Sequence, residues 1–149
     1  MKYCLIFVLC LTKCTNSELS DSKTFSNQIK EDTSEVELIK GVTVVVDNNS
    51  GRILFKRIDA ILMRNHPYLK QQLSESILNE STTKIKCCYS GDYIKKGDVS
   101  FLLYVDLFKV RIYETFKVQF DLKKENCAYP DGLIKFLNDK RTEIVKKMK

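Results

Sequence analysis

The chain has 149 residues, a formal charge of +6 and 44% apolar residues, with six cysteines, one histidine and no tryptophan. That length suits one domain, and eight Phe and seven Tyr supply material for its core. The mild positive charge comes without an RNP pattern, a Cys/His finger or an arginine-rich run, so no nucleic-acid partner is expected.

Met1 and Lys2 form a minimal positive stretch, and residues 3–11 (YCLIFVLCL) follow as nine apolar residues. Nine is far below the ~20 that a permanent membrane span needs and suits a signal peptide. Residues 1–14 are therefore read as an export signal rather than as a buried strand. Leu11, Thr12, Lys13 and Cys14 follow the order of a bacterial lipobox, whose Cys is diacylated and becomes the mature N-terminus. Lys13 stands where that pattern has a small residue. Ordinary signal peptidase is the alternative, since cleavage after Cys14 or Ser17 leaves small residues at the two positions it reads. Loss of Lys2 and Lys13 with the signal leaves a formal charge of +4. Two N-x-S sequons, at Asn48 and Asn79, matter only in a eukaryotic secretory pathway.

Residues 15–35 are rich in Ser, Thr, Asn and charge, with apolar residues too sparse for a core, and read as a flexible tether. The domain is expected over residues 36–149. Residues 42–46 (VTVVV) predict a strand, closed by turn residues 47–51 (DNNSG). Leu54, Phe55, Ile58, Ile61 and Leu62 fit one face of a helix, which is preferred over a hairpin pairing residues 52–56 with 42–46. Pro67 interrupts that helix, and Leu69, Leu73 and Ile77 continue a helical stripe. Ile85, Cys87 and Tyr89 alternate with Lys84, Lys86 and Cys88 as a strand. Residues 99–108 (VSFLLYVDLF) are apolar on nearly both faces and predict a central strand. Residues 110–122 alternate, with Val110, Ile112, Phe116, Val118, Phe120 and Leu122 inward. No Gly, Pro or Asn lies between Val99 and Leu122, so a hairpin and one long bent strand both stay open. Leu133, Leu137, Ile144 and Met148 stripe a last helix. The expected fold is α+β, a single small domain ordered β-α-β-β-β-α, with a mostly antiparallel sheet and helices on one face.

No catalytic or metal motif emerges, so no enzyme activity and no cofactor are expected. His66 lies in a helix break and reads as a cap or surface group, without the convergent partners that a metal site or triad needs. Glu114 interrupts an apolar face, and a strand edge or bulge that returns it to solvent is the plainer reading. Cys87 and Cys88 are adjacent, so on a strand they point to opposite faces. A disulfide from Cys87 or Cys88 to Cys127 is open in an oxidising compartment. Lys84 and Lys86 share one outward face, and Lys109, Arg111 and Lys117 another. Paired strands would merge them into a basic surface for an anionic partner. The alternative is a solvated face that protects the sheet.

A short signal, Cys14, a polar spacer and this element order resemble the small outer-membrane assembly lipoproteins of Gram-negative bacteria. The lipopolysaccharide-assembly lipoproteins and the auxiliary lipoproteins of lipid-transport ABC systems are the nearest types. The resemblance covers residues 11–14 and the order of elements from Val42 to Met148. It implies an exported, envelope-located, non-catalytic protein, held to the membrane by a lipidated Cys14 and facing the periplasm. Its partner would be an envelope protein such as a β-barrel, or anionic lipid. An unlipidated, secreted binding or effector protein is the alternative.

Overall fold

The computed structural model describes residues 32–121 and 123–148. Cys14, the signal and most of the tether lie outside the described residues. Among these residues, five strands and five helices follow in the order β1 (Thr33–Ile39), β2 (Val42–Asp47), β3 (Ile53–Ile58), α1 (Ala60–Arg64), α2 (His66–Ser76), β4 (Thr82–Lys86), β5 (Tyr93–Lys95), α3 (Lys96–Phe108), α4 (Ile112–Phe116) and α5 (Leu133–Met148). The described domain is α+β, with antiparallel sheets β1-β2-β3 and β4-β5.

The order within that class differs from β-α-β-β-β-α at the N-terminal end and in the middle, while the last helix stands where expected. Strand β1 begins at Thr33, inside the stretch read as tether, and pairs Val36 with Val44. Its alternation places Val36 and Leu38 in the core, a short pattern masked by the charged residues beside it.

The turn decides the next difference. Asp47 accepts the N–H groups of Asn49 (3.0 Å) and Ser50 (2.7 Å) on Oδ1, and Gly51 donates to the Asp47 carbonyl at 3.0 Å. Gly51 takes φ +69°, open to glycine without strain. This turn folds residues 53–58 back as β3, so the helix expected over 54–62 gives way to the hairpin. Of the residues in the helical spacing, Leu54, Phe55 and Ile61 are exposed, while Ile58 and Leu62 are half-buried against the core. The helical count therefore matches residues that the structure divides between β3 and α1.

The third difference is the largest. Residues 99–108 are not a central strand but most of helix α3. A run apolar on all sides serves a buried helix as well as a buried strand, and its length favours the helix. The Asp98 carboxylate starts it, accepting the Lys95 N–H at 2.7 Å on Oδ2. Val99, Phe101, Leu103 and Tyr104 are buried. Residues 110–121 then form the short α4 and an irregular stretch instead of a strand. Burial nevertheless follows the alternation at most positions. Phe116 is buried, Val110, Ile112, Val118 and Phe120 half-buried, and Arg111, Tyr113, Lys117, Gln119 and Asp121 exposed, while Glu114 is exposed on the inward side and Thr115 half-buried on the outward one. Lys109 and Lys117 close α3 and α4 in the left-handed region, with φ +52° and +57°. Those two reversals absorb the change of direction that the residue types did not announce.

One core joins these pieces. Val42, Val44 and Val46 of β2 pack in it with Leu69, Leu73 and Ile77 of the α2 stripe, with Ile85 and Ile94 of the second sheet, and with Leu133, Leu137, Ile144 and Met148 of α5. A buried polar node crosses that core. Arg141 of α5 meets Asp98 at 2.7 Å and donates to the Ile77 carbonyl and the Asn138 side chain, each at 2.8 Å. Gly97 lies beside it, where a Cβ would stand 2.1 Å from the Ile77 oxygen.

Candidate functional site

Helices α2, α3, α4 and α5 bring together the basic residues that converge. The left-handed Lys109 ends α3, Arg111 starts α4, and both line one open cavity of about 420 Å³ with Lys70 of α2 and Lys147 of α5. Tyr104 and Met148 line it too, and the Tyr104 hydroxyl donates to the Met148 carbonyl at 2.8 Å. One lining carboxylate, Glu114, accepts from Arg111 at 2.9 Å. Lys109 also meets Asp106 at 3.3 Å and Lys147 meets Glu143 at 3.9 Å, so among the described residues only Lys70 lines the cavity without a carboxylate in salt-bridge reach. The cations still outnumber the carboxylates there, which suits an anion.

Beside it runs a larger groove of about 950 Å³. Leu54, Phe55, Leu102, Val105 and Ile112 are among its lining residues, and Leu54 and Phe55 are exposed. Lys109 and Val110 line both spaces. Asp106 lines the groove, and the Lys56 ammonium at 2.7 Å, helped by Lys109, holds its carboxyl below the usual range against the effect of burial. The two spaces together present an apolar trough with a basic end.

The five cations expected on one sheet surface are thus divided. Lys84 and Lys86 are exposed on β4. Lys109 and Arg111 line the basic cavity, and Lys117 is exposed at the end of α4, outside that lining. The single basic sheet is corrected, because residues 109–117 form no strand to pair with β4. Lys70 and Lys147 were missed, since nothing in their local sequence marks residues brought together by tertiary packing. Comparison with protein-family models, curated proteins and solved structures finds no match.

The remaining candidates separate as well. His66 begins α2 behind the Asn65 cap and stacks edge-on against Phe108 at 5.0 Å, an ordinary packing contact. Glu114 is exposed and paired to Arg111. Cys87, Cys88 and Cys127 are free thiols. Cys87 is buried, and burial disfavours its thiolate. The N–H groups of Tyr89 and Ser90 and the hydroxyls of Ser90 and Tyr129 outweigh that, so its pKa lies below the usual value. Burial pushes Cys88 the other way, to about 12, with the neighbouring Cys127 adding to it. No group of three His, Cys, Asp or Glu among the described residues could hold a metal ion.

The phenols make an alkaline prediction. Burial raises the pKa of Tyr89, Tyr104 and Tyr129 above the ordinary value of 10.0. Each stays protonated in the fold at a pH where the unfolded chain loses its proton, so the folded state binds more protons and stability falls as pH rises. The phenols cost nothing below about pH 10 and increasingly more above it. Cys88 acts in the same direction from about pH 9 and Cys87 against it, which leaves the phenols to dominate at higher pH. Urea midpoints under reducing conditions are expected to fall between about pH 9 and about pH 11. A level midpoint would mean that these phenols are solvated.

Proposed function

We propose that this chain is an exported, non-catalytic binding protein of the cell envelope, tethered through a lipidated Cys14, whose domain holds an anionic lipid. The observation that carries the reading is Lys109, which stands where the basic cavity meets the apolar groove. A phosphate headgroup has its counter-charges in Lys70, Lys109, Arg111 and Lys147. An acyl chain attached to it has Leu54, Phe55 and Leu102 to cover. The residues 3–11 and Cys14 support the export and anchoring half of the proposal. The unlipidated, secreted form remains the second reading, because Lys13 stands before Cys14. Mass spectrometry of the mature N-terminus tests it: a diacylglyceryl Cys14 supports the anchor, and a free amine after Cys14 or Ser17 overturns it.

Binding to vesicles tests the site. Phosphatidylcholine vesicles containing phosphatidylglycerol are expected to capture the protein, less strongly as salt rises. Each cation near an anionic surface contributes about 1 kcal/mol, so Lys109→Ala/Arg111→Ala should weaken binding by roughly 30-fold. Lys84→Ala/Lys86→Ala, away from the cavity, serves as the control. Equal weakening by both pairs would leave only diffuse charge attraction. Undiminished binding by the first pair, or capture of an acidic envelope protein that vesicles do not displace, would overturn the lipid reading.

A further inference from the structure

We propose that Cys88 and Cys127 form a disulfide that locks the irregular segment between α4 and α5 onto the two hairpins. Three chain segments meet at this point: the 47–51 turn, the turn that follows β4, and residues 124–129. The Cys88 thiol donates to the Asn49 and Ser50 carbonyls, each at 3.3 Å. The Ala128 N–H donates to the same Ser50 oxygen at 2.9 Å, which brings the residue after Cys127 to the oxygen that Cys88 reaches.

Further bonds hold the same pair of segments in register. The Cys88 N–H donates to the Tyr129 hydroxyl at 3.3 Å, the Tyr89 hydroxyl to the Tyr129 carbonyl at 3.0 Å, and the Lys124 N–H to the Tyr89 oxygen at 3.0 Å. The Cys88 and Cys127 thiols are close enough that Cys127 adds to the raised pKa of Cys88. Cys87 shares the Tyr129 hydroxyl but is buried in the core cluster and lines a cavity with Asp92, Tyr93 and Asn138 that Cys88 and Cys127 do not line. The adjacent cysteines thus have separate roles, and the choice between Cys87 and Cys88 falls on Cys88.

The chemistry requires an acceptor of two electrons, and a low-molecular-weight disulfide such as oxidised glutathione supplies it. One thiolate attacks the glutathione disulfide and expels one glutathione. The second thiolate attacks the mixed disulfide, forms the Sγ–Sγ bond and expels the other. The two cysteines are oxidised, the glutathione disulfide is reduced, and the two thiol protons end on two glutathione molecules. Because the Cys88 thiol resists ionisation, the reaction should be slow at neutral pH and faster as pH rises. The outcome does not depend on the lipid reading, since the oxidant is added directly.

The full chain is treated with oxidised glutathione, alkylated with iodoacetamide, digested with trypsin and mapped by mass spectrometry. Cys87 and Cys88 fall in one tryptic peptide, residues 87–95, and Cys127 in residues 125–135. The expected product is these two peptides joined, with the alkyl group on Cys87, and a melting temperature raised above that of the reduced chain. Cys87→Ser should keep the cross-link and Cys88→Ser should lose it. A link through Cys87, stable glutathione adducts without a link, or full alkylation of all three residues in the wild type would each overturn the proposal.

Discussion

Asp98→Ala is expected to destabilise the domain by roughly 3–5 kcal/mol, the usual cost of stripping one partner from a buried ion pair. The Asp98 and Arg141 side chains are only 1% and 6% exposed, and they meet at 2.7 Å. Asp98 uses its second oxygen to receive the Lys95 N–H at the start of α3. Arg141 holds the Ile77 carbonyl at 2.8 Å at the end of α2. Removing the carboxylate therefore strands a guanidinium in the core and frees the first turn of α3. It also weakens the joint between three helices. Gly97 closes the route to relaxation, because the chain already passes too near the Ile77 oxygen to admit a Cβ. The double variant Asp98→Ala/Arg141→Met should recover much of the loss, since it leaves no charge behind. Urea midpoints of the three proteins decide it. A single variant as stable as the wild type, or a double variant less stable than the single, would mean that water reaches the pair.

Phe116→Ala is expected to cost about 3–5 kcal/mol as well, by emptying a large buried site. Phe116 is 6% exposed, with its ring 6.2 Å from Phe101 and 6.0 Å from Phe136, centroid to centroid. It ends α4 and fastens that short helix to both α3 and α5, so no single neighbour can collapse into the space. Lys117→Ala, one residue on, should be nearly neutral, because Lys117 is exposed and either residue meets the same left-handed backbone. Since the chain has no tryptophan, far-UV circular dichroism during urea unfolding is the suitable readout. Matching midpoints for the two variants would mean that the ring is not part of the core.

The inward position of Phe116 was legible from alternation alone, even though the strand that alternation suggested does not form. The same holds for Ile85, for the α2 stripe and for the α5 stripe, where spacing and burial agree. What local pattern could not separate was a buried helix from a buried strand at residues 99–108, since both are apolar all round. The hairpin after Gly51 is visible in its turn residues, but the apolar spacing at 54–62 is an equally strong local signal for a helix. The basic cavity was half legible. Lys109 and Arg111 stood out as neighbours in sequence, while Lys70 and Lys147 join them only through the packing of α2 and α5. Sequence pairs Cys127 with either vicinal cysteine, and the turn after β4 is what distinguishes Cys88 from Cys87.

The irregular register of the first sheet bears on how copies of this chain meet one another. Among the described strands its edges are β1 and β3, and each pairing with β2 carries a register shift, between Glu37 and Ile39 in one case and opposite Val45 and Val46 in the other. A bulge twists an edge and interrupts the even row of N–H and C=O groups that a foreign strand would need. Lys56 and Arg57 add exposed charge to β3, close to its exposed Leu54 and Phe55. The sheet can thus display apolar side chains on its surface without offering a flat template for strand-by-strand polymerisation. Crowding many copies on one surface, as a common anchor would do, is the setting in which that safeguard matters most.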